Sequence, residues 1–69
     1  VTAAESDLAE LSTVRTLLEE LTARVERVAD RYKDTPDSSF AAELYTAERG
    51  LISARRSIDR TISGLGGSR

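Results

Sequence analysis

The stretch LSTVRTLLEELTARVERVADRY, residues 11–32, places apolar side chains at Leu11, Val14, Leu18, Leu21, Val25, Val28 and Tyr32. The steps alternate between three and four, so the residues line one stripe of a helix, and such a stripe requires a second helix to cover it. The same chain supplies one. After Asp34-Thr35-Pro36-Asp37, apolar or small residues recur at Phe40, Leu44, Ala47, Leu51, Ala54, Ile58, Thr61 and Leu65, again at intervals of four and three.

Two antiparallel helices joined by a turn bring together residues whose numbers share a constant sum. Tyr32 with Phe40, Val28 with Leu44, Val25 with Ala47, Leu21 with Leu51, Leu18 with Ala54, Val14 with Ile58 and Leu11 with Thr61 all sum to 72. That sum centres the turn on Pro36, the chain's single proline, which suits the first turn of a helix. Large residues face small ones at Val25/Ala47 and Leu18/Ala54, an alternation that fills layers without overpacking. Beside this seam one edge pairs Arg31 with Glu43, Arg24 with Gly50 and Leu17 with Ser57. The other edge pairs Leu8 with Ile62, Thr22 with Glu48 and Ala29 with Ala41, but sets Arg15 against Arg55.

Local signals fix the ends. Thr2-Ala3-Ala4-Glu5 has the form of a capping box, and acids lead helix 1 while Arg27, Arg31 and Lys33 close it, as the helix dipole favours. Roughly 30 residues at 1.5 Å each make a helix about 45 Å long. Thr35 or Asp37 suits the cap of helix 2, and Gly64 suits its stop. The expected architecture is all-α: a single domain over residues 1–69, with helix 1 at about 3–33, a turn at about 34–36, helix 2 at about 37–63 and a frayed tail at 64–69. This antiparallel, coiled-coil-like hairpin is expected to dimerise into a four-helix bundle.

Composition narrows the function. A chain of 69 residues buries a modest core, and small scaffolds gain stability from disulfides, metals or association. With no Cys and no His, association is the expected route. The same absence removes the usual base and nucleophile near neutral pH, so no catalytic, cofactor-binding or metal residues are assigned and the chain is read as a non-enzyme. The net charge of −2 lacks the basic excess of a non-specific nucleic-acid binder. No apolar run reaches the ~20 residues that span a bilayer, the first residues lack the basic-then-apolar pattern of a signal peptide, and a cytoplasmic location is the default expectation. With no Met at its start, processing or excision is the expectation.

The expected role is a non-enzymatic protein-interaction module in regulation or adaptation, binding itself as a homodimer or donating two helices to another helical protein's bundle. Leu8, Ala41, Tyr45, Ile52 and Ile62 lie beside the index-72 seam and form the expected protein interface, since large apolar side chains anchor interfaces. A rival docking edge consists of the small residues Ala47, Gly50, Ala54, Ser57, Thr61 and Gly64. Gly50, mid-helix, costs about 1 kcal/mol relative to Ala, which calls for a packing reason. The alternative role is a regulator that holds an anionic ligand, nucleic acid or an acidic partner segment through Arg15, Arg49, Arg55, Arg56 and Arg60. Against it, Arg15 has Glu19 and Arg55 has Asp59 four residues on, the pattern of a solvated face.

Overall fold

The computed structural model describes residues 2–67 and consists of two α-helices, α1 (Ala3–Tyr32) and α2 (Ser38–Gly67), packed against each other as an antiparallel hairpin. Its Cα envelope is 53 × 16 × 11 Å, two helices wide and one helix thick. With no second layer behind either helix, little can be enclosed. Among the described residues only Ala29 and Ala41 are buried, at 0% and 2% exposure.

α1 opens with the expected capping box. The Glu5 amide donates to Thr2 Oγ1 and the Thr2 amide donates to Glu5 Oε1, each at 3.1 Å, which satisfies two of the helix's orphan donors. The turn is organised by Thr35, whose hydroxyl donates to the Tyr32 carbonyl at 2.8 Å and accepts from the Asp37 amide at 3.1 Å. Its backbone amide also donates to the Tyr32 carbonyl, and its carbonyl accepts from Ser38. One threonine thus closes α1 and launches α2.

The far end of α2 differs from expectation. The helix continues through Gly64 and Gly66 to Gly67, and no described glycine has a positive φ. Glycine permits a left-handed stop without imposing one, so residues 64–67 are helix where a tail was expected. Ser68 and Arg69, the rest of that tail, lie outside the described residues.

The antiparallel register is the expected one, but the sides that face each other are rotated. Tyr32 and Phe40, index sum 72, do meet, edge to face with ring centroids 6.4 Å apart. Yet Ala47, Ala54 and Thr61 are exposed, and Leu21, Tyr32 and Phe40 are 43%, 38% and 61% exposed. The centre of the seam instead runs through Leu8, Arg15, Thr22 and Ala29 on α1 and Ala41, Glu48, Arg55 and Ile62 on α2, all of them buried or half-buried. This was read from the sequence as a flanking edge. The physical reason lies at the turn: residues 33–37 hold the helices close, and the small side chains of Ala29 and Ala41 are those that allow such an approach. Each helix carries an apolar stripe broader than one neighbour can cover, so the turn decides which part is covered.

Candidate functional site

The five residues expected to form an intermolecular interface lie within this rotated seam. Ala41 is buried, while Leu8, Tyr45, Ile52 and Ile62 are half-buried. The Tyr45 hydroxyl crosses to α1 and donates to Asp30 Oδ1. Much of this set is therefore occupied inside the hairpin.

The arginine set divides. Arg15 and Arg55, the like-charged pair of the sequence, each reach a carboxylate on the opposite helix: Arg15 Nη1 lies 3.6 Å from Asp59 Oδ1, and Arg55 Nη1 donates to Glu19 Oε2 at 3.1 Å. The carboxylates are the same two that follow these arginines at i+4, but they are used across the hairpin and not along it. Four charges therefore close the far half of the seam by cancelling in pairs, at a gain of about 0–1 kcal/mol per half-exposed pair. Arg49 donates to Thr46 Oγ1 and Arg60 to Ser57 Oγ, each at 3.0 Å, and Arg56 is exposed. A shallow groove of about 470 Å³ is lined by Glu19, Thr22, Ile52, Arg55 and Arg56. Its one carboxylate is already bonded to Arg55, which lowers its attraction for an anion.

Nearer the turn the seam is acidic. Glu48 faces Glu26 and Asp30 of α1, and its carboxyl is held above the ordinary value of 4.5, first by burial, then by the charge of Glu26 and a hydrogen bond to it, then by Asp30, with Arg49 opposing. The bond from Tyr45 to Asp30 is the largest cause of a phenol pushed up to about 12, aided by burial and by the charges of Asp30, Glu48 and Glu26. No group of three or more Asp or Glu among the described residues is placed to hold a metal ion. The cluster's consequence is a protonation equilibrium across the helix contact.

What the rotation leaves uncovered is one long apolar face. α1 contributes Leu17, 49% exposed, and Leu21, with Val14 and Val28 half-shielded. α2 contributes Phe40, Leu44, Leu51 and Ile58, bordered by exposed Ala47, Gly50 and Ala54. Gly50 has open space where a side chain would begin, with nothing of the chain within 4 Å, so the hairpin itself does not require glycine there. The face was partly legible in the sequence: Ala47, Gly50 and Ala54 at its border belong to the rival docking edge, whereas its large members were assigned to the internal seam.

No family model matches the chain, and neither a curated protein nor a solved structure shows significant similarity to it. The open face therefore stands on its own geometry. No helix among the described residues is long and apolar enough to cross a membrane, and the face is far from flat apolar insertion chemistry, since Arg24, Arg31 and Glu43 rim it. It is suited to another helical surface: apolar in the middle, charged at its borders, with small residues where a second backbone can come close.

Proposed function

We propose that this chain is a non-enzymatic protein-interaction module that completes a helical bundle through the face carrying Leu17, Leu21, Phe40 and Leu51. The observation that supports this reading is the exposure of Leu17 and Leu21 on α1 and of Phe40 on α2 beside half-shielded neighbours, on a molecule one helix thick. A contiguous apolar patch of that kind marks an interaction surface on a soluble domain. Two more helices laid on this face would give a four-helix bundle with the seam enclosed. The arginine reading is weaker, because Arg15 and Arg55 are paired across the hairpin.

Native mass measurement on the chain isolated from its own cells tests the proposal, comparing wild type with a Leu21→Glu, Leu51→Glu variant. The wild type is expected to travel in a complex and the variant alone. A wild-type chain that travels alone, folded and unliganded, would refute the reading.

A further inference from the structure

We infer that the occupant of this face is a second copy of the chain, arranged with both turns at the same end and α1 of each copy lying on α2 of the other. The inference rests on the interaction reading above and names its partner. Three observations carry it.

The first is area. The accessible surface is 4987 Å², whereas a folded monomer of this size exposes about 4,200 Å². The surplus of about 800 Å² matches the ~800 Å² that each partner gives to a standard interface. A second hairpin, equal in length and width, covers the whole face, which a single added helix does not.

The second is shape. A two-fold interface must be self-complementary, because the same patch serves both partners. This patch is: its α1 half carries the large exposed side chains of Leu17 and Leu21, and its α2 half, beside Phe40 and Leu51, carries the exposed small residues Ala47, Gly50 and Ala54 that can receive them. With the turns at one end, the intramolecular register repeats between copies. Leu17 then stands level with Ala54 and Ser57 of the second copy, and the stem of Arg24, ion-paired to Glu20 at 3.6 Å, passes over Gly50 of the second copy. The space beside Gly50 that nothing in the chain fills is thereby used. With the turns at opposite ends, α1 would meet α1 and α2 would meet α2, so Leu17 and Leu21 would face large side chains of the other α1 and the small residues of α2 would receive neither.

The third is charge. In the same-end arrangement Arg31 lies level with Glu43 of the second copy near the turns. Neither forms an ion pair within the described hairpin, so both charges are available to the second copy. A pair of opposite sign at this border favours the register and opposes a slip.

Disulfide trapping tests the arrangement, because the chain has no cysteine of its own and the chosen positions are exposed in the hairpin. Oxidised Leu17→Cys, Ser57→Cys chain is expected to run as a covalent dimer on a non-reducing gel, with helical circular dichroism unchanged. Gly50→Cys, Ser57→Cys chain is expected to stay uncrosslinked; efficient dimer from this pair instead would place α2 on α2 and overturn the arrangement. Gly50→Leu is expected to weaken dimerisation by roughly tenfold or more without loss of helicity, and an unchanged dimer would count against the inference. Sedimentation of the purified wild type at micromolar concentration supplies the last arm. A folded monomer there overturns the second copy as occupant, while a heteromeric complex from cells would leave the interaction reading standing.

Discussion

At the scale of single residues, the most consequential side chain is Glu48, an acid in the middle of the helix contact. Burial and the carboxylates of Glu26 and Asp30 raise its pKa above 4.5, so the folded hairpin binds a proton more tightly than the unfolded chain does. Linkage then fixes the sign. The contribution of this group to stability is fully present below the ordinary glutamate range and is lost as pH rises through the folded value. The hairpin is expected to melt at a higher temperature under mildly acidic conditions than at neutral pH, within a window that opens at 4.5 and extends upward. Glu48→Gln should remove most of that dependence and raise the neutral-pH midpoint, as circular dichroism melts across the window would show; an unchanged pH profile would argue that Glu48 is solvated as in the unfolded chain. Tyr45, pushed up to about 12, works in the same direction: its neutral form supports the fold below 10, and that support is lost as pH passes 12.

At the scale of the elements, local chemistry was legible and rotation was not. The capping box of Thr2 and Glu5 and the turn built on Thr35 depend on residues within a few positions of one another, and both stand where the sequence puts them. So does the antiparallel register, because a short turn leaves the index sum little freedom. Which stripe of each helix faces inward is a different matter. Leu11, Leu18 and Val25 belong equally to the stripe with Val14 and Leu21 and to the one with Arg15 and Thr22, and the periodicity cannot distinguish the two. Hydrophobicity favours the first stripe. The structure takes the second, because Ala29 and Ala41 permit the approach the turn demands, a constraint between residues that the periodicity of either helix alone does not contain. The rotation also decides the candidate face, since the open face is the part of the stripe left over. If the Ala29/Ala41 contact sets the rotation, Ala41→Leu should be costly although it adds apolar area: about 1–3 kcal/mol of destabilisation from overpacking, read from urea unfolding. Ala42→Leu, exposed on α2 and outside both the helix contact and the open face, should cost nothing measurable. Equal effects at the two positions would mean that the closest approach lies elsewhere.

At the scale of the whole molecule, stability and association are the same question. A hairpin in which two alanines are the only buried side chains among the described residues gains little from its interior, and helices of this length owe their stability in proteins chiefly to the packing of their apolar faces. The ion pairs of Arg15 with Asp59 and Glu19 with Arg55 add at most about 1 kcal/mol each. Covering Leu17, Leu21, Phe40 and Leu51 is the one large term still open, and a second copy that covers them binds only the folded chain. Mass action then ties the melting midpoint to protein concentration. For a dimer of chains this size, each tenfold increase should raise the midpoint by about 5 °C, which calorimetry over two decades of concentration can resolve. Leu21→Glu should flatten that slope and lower the midpoint at every concentration, because Leu21 is 43% exposed in the hairpin and its replacement acts on association more than on the internal seam. A midpoint independent of concentration, with a sharp transition intact, would mean that two helices one layer thick fold alone, and the open face would then have to find its partner in another protein.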